Sequence, residues 1–382
     1  MSWHMLSLRF VLLTGFLALT LVSTASSEPK VIPPPHHKIY HGVSIGTVDE
    51  TKKTDLEDKV GKYLNAVTAG DRPTRKNLAW VLFDSELDLD AKSSSFPGKQ
   101  CETIFREYGA IPYIRLLLKK GNQSESEGTL KFEDILDGQQ LKAEFDKALC
   151  KWQCDAETWG KPLLVEWGSE CNACWSPWNK SPGKFKNVYM DLVAKISPKG
   201  RNNDNITWVF HIDATEPGRP NWGDFCPDKF DWIGVSVYGL PEKELMVPFR
   251  DQFVPYYESI VDHSYCKCKP IIVSAFGCPK TSGPPAMYWT QHAIDDLICD
   301  PGLKWVIGFS WWNATYLYRG RVEVDGFDCN KLKPVSGTTY LDNPGVNLEM
   351  QMTDNDLRAV VFQRYLSAPR INHWPRILPI KP

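Results

Sequence analysis

Short apolar runs alternate with longer amphipathic stretches along this chain. Eight runs are apolar and rich in Val, Ile, Trp and Tyr, as is typical of buried strands. They lie at His41–Gly46, Leu78–Phe83, Ile111–Leu117, Leu163–Gly168, Ile206–Ile212, Trp232–Tyr238, Pro270–Phe276 and Trp305–Trp312. Helical patterns lie between most of them and after the last. They span Leu56–Ala66, Leu141–Trp152, Val188–Ile196, Phe253–Val261, Tyr288–Leu297 and Asp354–Leu366.

The alternation of strands and helices predicts βαβ units and therefore a parallel sheet. Eight strands favour closure into a (β/α)8 barrel, the TIM barrel of the α/β class. An open doubly wound sheet is the alternative, but no glycine-rich phosphate loop follows an early strand. No linker interrupts residues 28–382, so we expect them to form a single barrel domain. Functional residues of such barrels lie at the carboxyl ends of the strands.

The first residues have the order of a secretory signal peptide. Arg9 precedes an apolar run from Phe10 to Val22, and the small residues Ser23 to Ser27 follow. A membrane anchor is the alternative, but the run is shorter than the roughly 20 residues of a membrane span. No second run of spanning length follows. We therefore expect residues 1–27 to be removed and the mature chain to be secreted without a membrane span.

Cysteines and sequons agree with secretion. The chain has 11 cysteines, an odd number, so at least one is unpaired within the chain or pairs with a partner. Three close pairs would also suit zinc, but no second pair with matching histidines follows, so we expect disulfides and no metal site. The pairs are Cys150 and Cys154, Cys171 and Cys174, and Cys266 and Cys268. Four sequons predict N-glycosylation, at Asn122, Asn179, Asn205 and Asn313.

Charge and aromatic content narrow the class of partner. The net charge of −2 disfavours a nucleic-acid partner, which requires a basic face. Nothing in the sequence implies an organic cofactor. The chain has 15 tryptophans, many near strand ends, where an aromatic plane stacks on the apolar face of a sugar ring. The candidates for stacking are Trp175, Trp178, Trp222, Trp311 and Trp312.

The fourth apolar run continues into Trp167-Gly-Ser-Glu-Cys-Asn-Ala-Cys-Trp-Ser-Pro-Trp178. This segment resembles the signature of glycoside hydrolase family 26, a family of endo-glycanases that includes β-mannanases. The resemblance implies that Glu170 is the general acid/base and that Asn172, Trp175 and Trp178 contact the substrate. The first, third and fifth to eighth predicted strands resemble their family counterparts in order, so the likeness covers essentially the whole mature chain. It implies β-linked polysaccharide, of the mannan or β-glucan type, as the partner.

One position departs from the family pattern. Its seventh strand reads Lys-Pro-Ile-x-Ile-x-Glu-x-Gly, with the glutamate as nucleophile, whereas this chain carries Ala275 there. Lys269, Pro270 and Gly277 keep their places, so the match needs no gap. A methyl group cannot attack an anomeric carbon, so the ordinary retaining mechanism is lost. Asp213, with Glu216 after it, is the alternative second carboxylate.

Further residues at strand ends complete the predicted site. We expect Tyr238, Trp311 and Trp312 to contact the substrate, and the resemblance implies that Tyr238 is the tyrosine that touches the nucleophile in the family. Asp213 is a candidate to bind a sugar hydroxyl. Glu166 lies four residues before Glu170, so the two side chains share one side of the strand. A buried carboxylate needs a partner, and Arg115 at the end of the neighbouring strand is the expected one.

Three functions compete. The first is a secreted protein that binds β-linked polysaccharide, with hydrolysis lost or impaired. The second is an active endo-β-1,4-mannanase or β-glycanase that uses Glu170 as acid/base. The third is a structural protein of the extracellular matrix. The site, and not the fold, decides among them.

Overall fold

The computed structural model describes the chain from residue 30 to residue 377, with gaps. The described ranges are 30–35, 38–49, 51–52, 54–68, 78–90, 96–125, 129–138, 140–173, 176–196, 205–215, 221–242, 245–280, 284–318, 322–323, 333–334, 346–353, 356–372 and 375–377. The predicted signal peptide, Trp175, Cys174 and Glu216 lie outside these residues. No helix among the described residues is long and apolar enough to cross a membrane.

Eight parallel strands form a closed barrel. They are β1 (Ile39–Thr47), β2 (Trp80–Asp88), β3 (Ile111–Lys120), β4 (Leu163–Trp167), β5 (Ile206–Asp213), β6 (Trp232–Tyr238), β7 (Ile271–Gly277) and β8 (Val306–Trp312). Each strand pairs with the next, and β8 pairs with β1 from Gly308 opposite Tyr40 to Trp312 opposite Ser44. The predicted (β/α)8 barrel is confirmed. Each observed strand begins within two residues of the start that the sequence predicts.

Helices surround the barrel. They are α1 (Asp55–Val67), α2 (Gly98–Thr103, continued by a π-helical turn, Ile104–Tyr108), α3 (Ala143–Trp159), α4 (Pro182–Ile196), α5 (Phe249–Asp262), α6 (Pro284–Cys299) and α7 (Leu357–Tyr365). A one-turn helix spans Phe132–Ile135, and 3-10 turns span Trp222–Phe225 and Pro301–Leu303. The outward side chains of the strands and the inward faces of the helices form one large apolar core.

Five short antiparallel strand pairs among the described residues lie outside the barrel sheet. They join Val31–Ile32 to Arg376–Ile377, Leu136–Asp137 to Gln140–Leu141, Pro241–Glu242 to Leu245–Met246, Thr315–Tyr318 to Val346–Glu349, and Val322–Glu323 to Lys333–Pro334. Gln123–Ser124 pairs with the end of β3, and Ile371–Asn372 with the start of β1.

A separate aromatic core fills the lower half of the barrel lumen. The indole of Trp80 lies between β1 and β8, where a Cβ added to Gly42 or Gly308 would lie 2.1 or 2.2 Å from its atoms. Both positions are therefore restricted to glycine. Trp80 also donates a hydrogen bond from Nε1 to the Ser310 hydroxyl at 2.7 Å. Among the described residues, these side chains fill the amino-terminal half of the barrel lumen, so a ligand bound in the lumen would lie at the carboxyl-terminal end.

The same core closes the floor of the barrel. Val31 packs with it, and the strand Val31–Ile32 is held by pairing with Arg376–Ile377. The Tyr40 hydroxyl donates to the carbonyl of Ile32 at 2.8 Å. Segments from both ends of the described chain therefore cover the amino-terminal side of the barrel.

Candidate functional site

Glu170 follows β4 in a tight turn with an unusual backbone. Gly168 has φ 60°, and a Cβ there would lie 2.4 Å from the Phe185 ring. Glu170 itself has φ 53°, in the left-handed region that non-glycine residues rarely adopt. Such a conformation costs on the order of 1–3 kcal/mol and persists only where the surroundings enforce it. The turn therefore has the character of a functional position.

Asn172 holds this turn against the end of β5. Its amide nitrogen donates to the carbonyl of Asp213 at 2.9 Å, and its oxygen accepts from the Asp213 N–H at 2.8 Å. The side chain is fully buried, with both polar atoms used by the backbone. These bonds position Glu170 and Asp213 relative to each other. The substrate contact of Asn172 stays a prediction.

The Glu170 carboxyl lies in a protected, acidic setting. The residue is 8% exposed. Burial, and then the charge of Asp213, raise the pKa of Glu170, while His211, Arg115 and the Ser236 hydroxyl partly offset the rise. A carboxyl that keeps its proton to higher pH can donate it, which is the behaviour of a general acid.

Glu166 lies deeper, inside the barrel, and is fully buried. Its Oε1 accepts a hydrogen bond from Arg115 Nε at 2.6 Å, and its Oε2 one from the Tyr113 hydroxyl at 2.5 Å. Burial alone would raise the pKa of Glu166, but His211 and Arg115 hold it well below its usual value. The predicted ion pair of Glu166 and Arg115 is confirmed.

His211 joins this ion pair to the upper layer of the lumen. Its Nδ1 lies 3.1 Å from Glu166 Oε1 and 2.7 Å from the Ser169 hydroxyl. Its Nε2 lies 2.7 Å from the Ser236 hydroxyl and 3.1 Å from that of Ser274. Sequence reasoning missed these residues. Alternation on β5 could have found His211, because it shares the side of Asp213 two residues later.

A bulge in β7 determines where Ala275 points. The pairing of β7 shifts register against both neighbours, so that Ser236 of β6 lies opposite Ala275. Consecutive residues then face the same side: Ser274 bonds to His211, while Ala275 packs with Tyr238. Ala275 is thus at the inner mouth of the barrel, but it is fully buried.

Met350 covers Ala275. Both residues are fully buried in one small apolar cluster with Tyr238, against which Leu240 and Trp312 pack. A Cβ added to Gly277 would lie 3.4 Å from the Met350 sulfur. Ala275 is therefore enclosed in an apolar contact.

The chain around Met350 is fixed by hydrogen bonds. The Met350 carbonyl accepts from Trp311 Nε1 at 2.9 Å, and the Met352 N–H donates to Asn313 Oδ1 at 2.8 Å. Arg358, also buried, donates to the Gln351 carbonyl at 2.9 Å and pairs with Asp356. The cover over Ala275 is therefore part of the packed structure.

Trp312 is the described tryptophan best placed for a ligand. It is half-buried at the end of β8, with the Arg115 guanidinium 5.2 Å from its ring centre. Tyr238, almost fully buried, meets it edge-on at 6.4 Å. Near it lie Asp84, with its carboxylate 3.9 Å from Arg115 Nε, and Gly46.

Three other tryptophans belong to the core. Trp178 packs on Trp167 and Phe185, and Trp311 packs on Phe276 and Phe362. Both are fully buried, and Trp222 is 5% exposed. The predicted stacking of Trp178, Trp222 and Trp311 on sugar is therefore wrong, because a stacking ring must present a free face.

Two of the four predicted glycosylation sites are inaccessible. Asn205 is fully buried and donates to the Lys161 carbonyl at 3.0 Å, and Asn313 is 3% exposed. A bulky glycan cannot be attached to either side chain in this fold, so both predictions are wrong. Asn122 is exposed and Asn179 half-buried, and these two remain predictions.

Nine cysteines fall within the described residues, and the structure joins none of them in a disulfide. They are Cys101, Cys150, Cys154, Cys171, Cys226, Cys266, Cys268, Cys278 and Cys299. The predicted cross-links are therefore not found among these positions.

The sequence matches no protein-family model and no curated protein. Solved structures with the same fold include a GH26 β-mannanase from Bacteroides ovatus, 12% identical, with a TM-score of 0.56 over 88% of this chain and 90% of that one. An endo-β-1,4-mannanase double mutant from Cellulomonas fimi is 15% identical, with a TM-score of 0.55 over 88% and 72%. The GH26 endo-β-1,4-mannanase catalytic domain of Bacillus sp. JAMB-750 is 14% identical, with a TM-score of 0.54 over 88% and 87%. At these identities the likeness shows the fold, a barrel like that of GH26 mannanases.

Proposed function

We propose that this protein is a secreted binder of β-linked polysaccharide, of the mannan or β-glucan type, with hydrolysis lost. The observation that carries the proposal is the enclosure of Ala275 beneath Met350 and beside Tyr238. A retaining glycosidase needs a second carboxylate about 5–5.5 Å from its acid/base. Here the matching position has a methyl group, and Ala275 is fully buried.

The retained part of the mouth supports binding. Trp312 offers a half-exposed ring, and Arg115 and Asp84 offer charged groups beside it. Glu170 and Asp213 lie at the ends of the neighbouring strands β4 and β5, so their carboxyl groups can bond sugar hydroxyls. An aromatic plane with a few converging polar groups is the usual composition of a carbohydrate site.

The test separates retention from release. The purified protein is incubated with insoluble mannan, mixed-linkage glucan, xylan and chitin, and bound protein and new reducing ends are measured. We expect retention on mannan or β-glucan without release. Trp312→Ala should abolish retention, whereas Trp305→Ala should not, because Trp305 precedes β8 at the opposite end of the barrel. Retention that survives Trp312→Ala places binding elsewhere and contradicts the proposal.

A second candidate is hydrolysis by Glu170 together with Asp213. The observation that favours it is the effect of Asp213 in raising the pKa of Glu170, because inverting enzymes use an acid and a base carboxyl about 6.5–9.5 Å apart. Steady release of reducing ends, abolished by both Glu170→Gln and Asp213→Asn, would establish it. If the protein shows neither retention on a polysaccharide nor release of reducing ends, the result would favour a structural protein of the extracellular matrix.

Secretion is tested separately. Protein collected from the medium of producing cells should lack residues 1–27 when its amino terminus is sequenced. Protein that stays in the cells with its first residues intact would contradict this part of the proposal.

A further inference from the structure

Three side chains with metal-binding atoms meet outside the barrel, away from the mouth. Cys226 follows the 3-10 turn Trp222–Phe225 and precedes β6, while His263 and Cys266 lie in the turn between α5 and β7. Their ligand atoms all lie within 4.8 Å of one another. Sequence spacing indicates only the pair Cys266 and Cys268, because the approach of Cys226 to His263 and Cys266 depends on the fold.

Two of the three ligand separations match those around a tetrahedral zinc ion, and the third, between Cys226 and His263, is below 4.8 Å. Zn–S bonds of about 2.3 Å and Zn–N bonds of about 2.0–2.1 Å, at tetrahedral angles, place two sulfurs about 3.8 Å apart and sulfur and nitrogen about 3.6 Å apart. The two cysteine sulfurs lie 3.7 Å apart, and Cys266 Sγ lies 3.6 Å from His263 Nδ1. A disulfide requires sulfurs about 2.05 Å apart.

The ligands are held in place by their surroundings. Cys226 and Cys266 are each 2% exposed. The His263 ring packs on Trp222 with ring centroids 4.9 Å apart. The backbone carbonyl of His263 accepts hydrogen bonds from the Cys266 and Lys267 N–H groups at 3.0 and 3.1 Å. Little side-chain freedom remains to be lost when an ion binds, which favours affinity.

We propose that Cys226, His263 and Cys266 bind one zinc ion. Two thiolates and a neutral imidazole balance the charge of the ion and suit its preference for sulfur and nitrogen ligands. A water molecule completes the coordination. The ion joins the segment before β6 to the segment before β7, and so replaces a disulfide as the cross-link between them.

The first experiment measures the metal content of the full-length protein by mass spectrometry after dialysis. We expect one zinc per chain in the wild type. Cys226→Ser and His263→Gln should each weaken zinc binding about tenfold or more, because losing even an outer-shell partner of a zinc site has an effect of this size. Cys268→Ser is the matched control, since Cys268 is exposed and two residues from Cys266, and it should keep the zinc.

Two measurements on the wild type keep the test independent of variants that fail to fold. Cobalt(II) added to the metal-free protein should give the near-ultraviolet absorption of thiolate-to-cobalt charge transfer. Removal of the ion should lower the melting temperature, and added zinc should restore it. A disulfide between Cys226 and Cys266 in the purified protein, or zinc binding unchanged in His263→Gln, would overturn the proposal.

Discussion

Replacing Glu166 with glutamine should destabilise the protein strongly, although the shape of the side chain is kept. Glu166 is fully buried, and its Oε1 lies 2.6 Å from Arg115 Nε. Removing one partner of a buried ion pair costs about 3–5 kcal/mol, because the other charge stays buried without compensation. Asp84, 3.9 Å from the same Arg115 nitrogen, compensates part of that charge, so we expect about 3 kcal/mol. That is on the order of a hundredfold in the ratio of folded to unfolded protein.

The loss should depend on pH in a definite direction. The pKa of Glu166 is lowered from the model-compound value of 4.5, because His211, Arg115 and Tyr113 outweigh the effect of burial. A carboxylate with a lowered pKa stabilises the fold fully above its unfolded pKa, and this contribution fades as the pH falls below 4.5. The difference between wild type and Glu166→Gln should therefore be complete at neutral pH and shrink in acid.

Urea denaturation followed by tryptophan fluorescence measures both effects. The control is Glu86→Gln, which removes an exposed partner of Lys119 at 3.2 Å and should change stability by less than about 1 kcal/mol. The double variant Arg115→Met/Glu166→Leu should lose less than the two single variants together, since no charge is left alone. A cost for Glu166→Gln no greater than that of the control would refute the reasoning.

Three other predictions concern the mouth and the surface. Glu170→Gln should raise the melting temperature at neutral pH and leave it unchanged in acid, because the raised pKa of Glu170 means that its ionised form destabilises the fold. The sign at neutral pH is opposite to that of Glu166→Gln, and a lower melting temperature at neutral pH would contradict this. Ala275→Glu should not produce hydrolysis and should lose about 1–3 kcal/mol from overpacking alone, as urea denaturation will measure; reducing-end release by this variant would show that the position is open. Glycopeptide mapping of the protein from glycosylating cells should find glycan on Asn122 and none on Asn313, and occupancy of Asn313 would contradict the burial of its side chain.

The barrel was predictable because each strand is a mostly apolar run. A strand buried on both faces has apolar residues at most positions, and this signal does not depend on distant contacts. Helix α2 gave no comparable signal: its segment Gly98–Thr103 is mostly polar, with Cys101 as its one buried residue. Its position depends on packing against the barrel, which local sequence does not encode.

The candidate site could be predicted where the alternation of side chains along a strand determines which of them point into the barrel. Glu166 and Arg115 lie inside the barrel because both occupy inward positions of neighbouring strands, which the ion pair confirms. The same rule places Trp311 and Trp312 on opposite sides of β8, so only one of them can reach the mouth. Alternation along β8 therefore excludes Trp311 from the predicted sugar-binding residues and keeps Trp312.

The enclosure of Ala275 was not predictable. Met350 reaches Ala275 from a segment far along the chain, and its position depends on bonds to Trp311 and on the neighbouring Arg358 contacts. The bulge that turns Ala275 inward is a property of the pairing between strands and not of β7 alone. Both features are long-range.

The strand pair at the amino-terminal side of the barrel determines how the protein can be immobilised. Val31–Ile32 and Arg376–Ile377 lie side by side on the face opposite Trp312. An affinity handle or a chemical linker attached to either strand would lie on that face. Immobilisation on a sensor surface through this strand pair should therefore orient every molecule with its mouth toward the solution.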